Sequence, residues 1–498
     1  MNPQNDTSTT AGKIADLQDR LAKSRQPAGE DAVRAVHNAG RLTARERVEA
    51  LLDDGSFVEI DALARHRSKA FDLEKERPLT DGVVTGHGTI DGRPVCVFSQ
   101  DATLFEGKIG ETTGAKIIKV LELALKSGTP VIGFYDGAGA RLKEGIIALD
   151  MYSRILRLQT QASGVIPQIA VVAGECRGIQ VHGIAMSDVV ISVDGQGSLS
   201  MDANPGGVVE AQETGTAHIV VPDESAAQDT VADVLSYLPS NNRAIAPATE
   251  PVNTELANRR AEEGADDAAL SSEIDHLIPD SASETYDVRD VLAAVLDEDS
   301  LLELGLGFAP NIITGFARLE GRAVGVIANQ PTVKAGGIDI DSAEKVSYFI
   351  QLCDAFNVPL VSFVDAPGFL PEEPDAPVIR RTAKLFHTTA AASVGKITVI
   401  TRKATGSAYL ALAAKRMGTD LVFAWPTAEV AVADADTFAA EIGADEATPQ
   451  DPYEAAASGL VDAVLPPSET RQKLVEGLGL LERKVEDGYP RKHSIVTF

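Results

Sequence analysis

Two short segments carry residues suited to holding negative charge on an oxygen with no side-chain acid or base. They are Gly174-Glu175-Cys176-Arg177-Gly178-Ile179 and Lys403-Ala404-Thr405-Gly406-Ser407-Ala408. Each follows an apolar run that reads as a buried strand, and each leads into a helical stretch. A strand-to-helix junction leaves consecutive backbone N–H groups without partners. Donors fixed in this way stabilise a developing oxyanion at little reorganisation cost. Such a loop, met once, reads first as an ordinary turn with glycine for tight packing; its repetition singles it out. Other machinery is missing. The chain has no GxxxxGK[ST] phosphate loop and no GxSxG elbow. Its eight histidines fall at no metal-ligand spacing, so no metal site is expected. Gly86-His87-Gly88 reads as a turn.

The elements that must position these loops also occur twice. Thr85-Gly86 followed by Asp91-Gly92-Arg93 is matched by Thr314-Gly315 followed by Glu320-Gly321-Arg322. Both read as β-hairpins with an acidic-Gly turn, the second strands ending at Gln100 and Gln330. An amphipathic helix follows in each half (KIIKVLELALKSG, SAEKVSYFIQLCDAFN), then a buried strand ending in Asp136 or Asp365. Gly92 and Gly321 lie 229 positions apart, as do Asp136 and Asp365, while Gly178 and Gly406 lie 228 apart. Register this constant over three landmarks implies two homologous α/β domains in tandem. The expected boundaries are 1–245 for the first domain with its helical leader, 246–283 for a Pro-, Ala- and acid-rich linker with one short helix, and 284–498 for the second. In the leader, Thr43 and Glu46 read as a capping box. The first 13 residues read as a mobile polar arm.

At 498 residues the chain buries a large core without staples. Its formal charge of −28 opposes phosphate backbones and anionic lipid, so neither nucleic acid nor membrane is an expected partner. Cys96, Cys176 and Cys353 lie far apart in apolar or Gly-rich runs, as reduced buried thiols do. With no signal peptide, the expected location is the cytoplasm.

Longer ordered motifs carry a resemblance: LTARERVEALLDDGSFVEID, SQDATLFEGKIGE, DGAGARLKEG, FAPNIITGFARLEGR, ANQPTVKAGGIDIDSAEK, CDAFNVPLVSFVDAPGFLP and VITRKATGSAY among them. Over nearly its whole length the chain resembles the carboxyltransferase (β) subunit of the biotin-dependent acyl-CoA carboxylases, the propionyl-CoA and acetyl-CoA carboxylase type. The resemblance implies an α/β fold of tandem duplicated crotonase-like (ClpP/crotonase) ββα superhelix domains, the first holding acyl-CoA and the second biotin. It implies a homo-oligomer, a trimer of dimers with the active site formed between subunits, and a biotinylated biotin-carboxylase α subunit as partner. Biotin is then carried on that separate subunit, and coenzyme A enters as part of the substrate.

Carried over by motif, Gly178 and Ile179 match the first oxyanion pair, for the thioester enolate. Ser407 and Ala408 match the second, for the biotin ureido oxygen. Ala335, Gly336 and Gly337 match the biotin loop, with Asp365 placed on that side. Gly137, Ala138, Gly139, Arg141 and Leu410 match the substrate side, although Arg141 reads as well as a structural ion-pair partner. Two transient oxyanions account for two loops, and no side-chain base is required.

The acyl side departs from the family pattern. Ile179 stands where a second glycine is usual; at positive φ it would be strained, and its side chain would crowd the acyl path. Leu410 replaces a residue that is often Asp in propionyl-type enzymes. The segments after ISVDGQGSLSM and after AWPTAEVAV are shorter than usual. Weak turnover of acetyl-CoA is therefore expected. Two alternatives stay open: a biotin-independent decarboxylase of a malonyl-type or polyketide-like acyl substrate using one hole, and a structural β subunit of reduced activity.

Overall fold

The computed structural model describes residues 7–201, 208–262, 267–281, 284–371, 375–433, 435–442, 451–486 and 495. Contacts divide the chain into two units, one running to Leu235 with Ser240–Asn242, the other comprising Ser236–Pro239 and Arg243 onward.

In the first unit the strands are β1 (Val58–Glu59), β2 (Val83–Ile90), β3 (Arg93–Gln100), β4 (Val131–Tyr135), β5 (Gln168–Val172), β6 (Glu175–Arg177), β7 (Val189–Val193), β8 (Ser198–Ser200) and β9 (Ile219–Val221). Seven form a mixed sheet ordered β1-β2-β3-β4-β5-β7-β9, while β6 pairs with β8. In the second unit they are β10 (Leu302–Glu303), β11 (Ile312–Leu319), β12 (Arg322–Asn329), β13 (Leu360–Ala366), β14 (Lys396–Thr405), β15 (Leu421–Ala424), β16 (Glu429–Ala431) and β17 (Ala463–Val464). Their order is β10-β11-β12-β13-β14-β15-β17, with β16 alongside β14.

The two hairpins form as the sequence predicts. β2 and β3 pair antiparallel from Val83↔Gln100 to Ile90↔Arg93, β11 and β12 from Ile312↔Asn329 to Leu319↔Arg322. Both two-residue turns have positive φ at each central residue, 48° and 73° for Asp91-Gly92, 48° and 74° for Glu320-Gly321. This I′-type geometry matches the twist of the flanking strands. A carboxylate binds each turn's N–H groups: Asp53 accepts from Asp91 and Gly92, Asp297 from Glu320 and Gly321. From β3 and β12 onward the pairing is parallel, because each crossover contains a helix. The registers coincide. Cys96↔Val131 and Val131↔Gln168 in the first unit correspond to Gly325↔Leu360 and Leu360↔Lys396 in the second.

Strands covered on both faces explain the near-continuous Val/Ile runs. Ile117, Leu121, Val131, Val172 and Val190 belong to the first core; Leu292, Val324, Phe363, Val399 and Trp425 belong to the second. The buried Trp425 donates its indole N–H to Thr470 Oγ1 at 2.8 Å. All three cysteines are free and buried.

Thr43 and Glu46 close the capping box on helix Ala44–Leu51, at 3.3 and 2.8 Å. Three expectations need correction. Gly86-His87-Gly88 is not a turn but lies inside β2, paired to β1 and β3. The N-terminal arm is helical from Thr10 to Arg25, with Thr9 as N-cap, because its Ala, Leu and Lys content favours a helix once capped; residues 1–6 lie outside the described residues. The segment read as linker holds two helices among its described residues, Glu255–Glu262 and Asp267–Asp275, and buries Leu256 and Ile278 within the second unit; 263–266 and 282–283 lie outside the described residues.

Candidate active site

The parallel strands of each sheet end on one edge, and there the repeated loops gather. In the first unit β5 stops at Val172, the short β6 carries Glu175–Arg177, and helix Gln180–Ala185 begins three residues later. The Gly178 N–H extends the β6–β8 ladder and is spent on the Ser200 carbonyl at 2.9 Å. Gly178 is therefore not an oxyanion donor, a correction to the sequence reading. The Ile179 and Gln180 N–H groups have no partner among the described residues, being the first amides of a helix. In the second unit the Ser407 and Ala408 N–H groups are likewise unpartnered, at the start of helix Gly406–Leu412. With Gly178 matching Gly406, the pair equivalent to Ser407/Ala408 is Ile179/Gln180. This pair lies one residue later than the one taken from the motif.

Ile179 is not strained. Its φ is −59° and ψ −27°, and the positive φ falls on Gly178 at 67°. Its half-buried side chain packs on the first unit's core.

The glycine loops are built alike in both units. Phe105, Glu106 and Gly107 have φ of 52°, 55° and 62°; Lys334, Ala335 and Gly336 have 50°, 51° and 73°. A Cβ at Gly107 would lie 2.1 Å from the Asp136 carbonyl oxygen, and one at Gly336 would lie 2.4 Å from that of Asp365. Only glycine permits so close a backbone approach. An amide side chain ties each loop to the neighbouring strand end. Gln100 donates to the Gly107 carbonyl at 3.4 Å and accepts from the Asp136 N–H at 2.9 Å. Asn329 donates to the Gly336 carbonyl at 2.8 Å and accepts from the Asp365 N–H at 3.4 Å. Asn329, rather than Gln330, is thus the counterpart of Gln100. Of the biotin-side loop, Ala335 is exposed while Gly336 and Gly337 are buried.

The substrate-side loop is knitted inward. The Gly137 carbonyl accepts from the Arg177 N–H at 3.3 Å and from the Gln180 side chain. The Ala138 N–H donates to Glu106, and the Gly139 carbonyl accepts from Ile109. These glycines shape the wall behind the Ile179/Gln180 amides.

Two charged residues assigned by sequence are occupied elsewhere. Arg141 is 3% exposed; it donates to Asp81, Glu144 and Thr113, and its guanidinium lies 4.1 Å above the Phe105 ring. It is a structural ion-pair residue, which removes it from the substrate contacts. Asp365 is 1% exposed, with its oxygens taken by Arg402 Nε at 3.0 Å and the Lys403 N–H at 3.1 Å. Its carboxylate is spent on holding the loop. Sequence reading missed Arg41 and Arg47, which pair with Asp136, and Glu224, which holds Arg47.

Beside the second amide pair opens a cavity of about 480 Å³, lined by Gly406, Ser407, Leu410, Val430, Val432 and Leu460 among others. Ser407 and Leu410 are exposed to it, and Leu410 stands on its wall beside the second amide pair. Apolar walls with polar donors at one end suit a small ring or acyl group. Among the described residues no side-chain base stands out at this edge. Burial pushes His218 down to about 4, and its Nδ1 accepts the Val190 N–H. Burial lifts Asp188 to about 7, but it accepts the Gln168 N–H at the starting end of the strands, away from the loops. Among the described residues no three His, Cys, Asp or Glu side chains gather as a metal site.

A family profile described as "Carboxyl transferase domain" matches residues 35–447. The chain is similar to the biotin-dependent acetyl-/propionyl-coenzyme A carboxylase beta5 subunit of Mycobacterium tuberculosis, 47% identical over 99% of this chain and 96% of that one. It is 43% identical to the propionyl-CoA carboxylase beta chain of Saccharopolyspora erythraea, over 98% of this chain and 96% of the other. Among solved structures, the transcarboxylase 12S hexamer with hydrolysed methylmalonyl-coenzyme A bound is similar at TM-score 0.92 and 37% identity, covering 99% of each chain.

Proposed function

The chain belongs to the carboxyl transferase family, and from that premise we propose how its two units share one reaction. It is a carboxyltransferase of the biotin-dependent acyl-CoA carboxylase type, with the crotonase-like fold, and moves a carboxyl group from carboxybiotin to an acyl-CoA. The biotin is carried on a separate biotinylated subunit. The relatives favour this activity over a biotin-independent decarboxylase or a structural subunit.

When bound, carboxybiotin would supply the CO₂ and the base for the substrate α-proton. In the first unit the Ile179 and Gln180 N–H groups hold the thioester oxygen as negative charge develops on it. In the second, the Ser407 and Ala408 N–H groups hold the ureido oxygen, and the cavity beside them takes the ring; its size and apolar walls fit that group. Leu410 lines the same cavity and borders both the ring and the acyl group, and its apolar contact favours an acyl chain longer than acetyl. Main-chain donors need not ionise to act, so this division calls for no side-chain base. The observation supporting this division is that both units keep the same unspent amide pair at the same register. The protein is proposed to act in the cytoplasm as a homo-oligomer, the assembly described for transcarboxylase 12S. No helix among the described residues is long and apolar enough to cross a membrane.

The test is ATP-dependent labelling of an acyl-CoA panel by radioactive bicarbonate, with a biotinylated α subunit supplied. Label should enter propionyl-CoA or a longer acyl-CoA well ahead of acetyl-CoA, and only with that subunit present. CO₂ release from a malonyl-type thioester without biotin, or no labelling of any acyl-CoA, would overturn the proposal.

A further inference from the structure

We propose that Arg41 and Arg402 are equivalent positioning residues, one guanidinium task supplied from different places in the two units. This rests on the carboxyl-transfer reading and adds the groups that hold each amide pair in place.

By the shared register, Asp136 matches Asp365 and Gly174 matches Arg402. In the second unit β14 runs unbroken from Lys396 to Thr405, and Arg402 on it reaches Asp365 at 3.0 Å. Its guanidinium also donates to the Glu284 carbonyl at 2.7 Å and sits 5.1 Å from the Tyr286 ring centre. The pair therefore ties the end of β13 to the strand that terminates in the Ser407/Ala408 amides. In the first unit the matching strand breaks after Val172, and the matching residue has no side chain. A Cβ at Gly174 would lie 1.9 Å from Asp136 Oδ1 and 2.6 Å from the Arg41 guanidinium. The space is filled from the leader instead. Arg41 donates to the Asp136 carboxylate and, at 2.8 Å, to the Ala173 carbonyl. Arg47 adds a contact to Asp136 at 3.0 Å and is itself held by Glu224. Arg41 thus bridges the ends of β4 and β5, shortly before the Ile179/Gln180 amides, as Arg402 bridges β13 and β14.

This placement has a consequence. A guanidinium within the strand makes the second pair self-supporting. A guanidinium from the leader makes the first pair depend on the leader being docked. Glycine at 174 is then required by the relocation.

The full-length protein is assayed for carboxyl transfer from methylmalonyl-CoA to free biotin, recording kcat and both KM values. Arg41→Ala should lower kcat about 10-fold or more with KM for biotin within about twofold, since a small misplacement of donors is costly in the transition state. Arg41→Lys should recover part of the loss, and millimolar guanidinium should rescue Arg41→Ala, whose vacated site is partly open to solvent. Arg402→Ala should instead raise KM for biotin about 10-fold with KM for the acyl-CoA nearly unmoved. Wild-type kinetics in Arg41→Ala, or parallel loss of every parameter with the folded fraction in both variants, would overturn the inference. If Arg41→Ala does not fold, Arg41→Lys carries the test: reduced kcat at unchanged KM for biotin supports the inference, and unchanged kcat overturns it. Wild-type protein that transfers to biotin from no carboxylated acyl-CoA would instead strike the carboxyl-transfer reading itself.

Discussion

A backbone N–H can be removed without altering charge, and Ile179 is well placed for that experiment. Its φ of −59° is already the value proline imposes, and its N–H has no partner among the described residues. Ile179→Pro should therefore keep the fold while deleting one donor to the thioester oxygen, lowering kcat by roughly 10²–10³-fold. Ile179→Ala keeps the donor and serves as the control; its kcat should fall far less. Steady-state kinetics beside a thermal melt separate the two effects, and equal losses in both variants would show that side-chain packing, not the amide, is what matters. At the same scale, the acidic residues after the buried strands are legible as present but not as to role. Asp136 and Asp365 are both ion-paired, which depends on arginines that sequence distance does not reveal.

The duplication governs the elements. The left-handed triplets at 105–107 and 334–336, the amide clamps at Gln100 and Asn329, and the carboxylates at Asp53 and Asp297 recur because the same chain path recurs. Gly107→Ala and Gly336→Ala place a methyl group against a backbone carbonyl at a positive φ, and each should cost roughly 2–4 kcal/mol. Denaturant melts of the two variants test this; a cost under about 1 kcal/mol would mean that the loops yield more readily than their geometry implies. Buried lysines repeat as well. Lys116 donates to the carbonyls of Thr80 and Val83, Lys345 to those of Gly305 and Ile312, and burial pushes both down to about 8. They satisfy carbonyls where the chain enters the hairpin.

For the whole molecule the dominant long-range term is charge. A net −28 repels the phosphates of coenzyme A at a distance, before any local contact forms. Raising ionic strength from about 10 to about 150 mM shortens the screening length from roughly 30 to 8 Å and should lower KM for acyl-CoA several-fold. Kinetics across a salt series test this; KM rising steadily with salt would point to a local positive funnel that outweighs the overall field.

The sequence alone determined the duplication, the hairpins, the capping box and the neighbourhood of both amide pairs, because these depend on local periodicity, turn chemistry and a register that can be counted. Segments after ISVDGQGSLSM and AWPTAEVAV, read as shortened, fall partly on 202–207, 434 and 443–450, outside the described residues. Only the tertiary structure decided which N–H of the first loop is spent, that Arg141 and Asp365 face inward, and that Arg41 stands in for a side chain missing at Gly174. Each of those outcomes is a pairing between groups far apart along the chain. A hydrogen bond or ion pair is settled by which partner arrives within about 3 Å, and separation in sequence does not specify that.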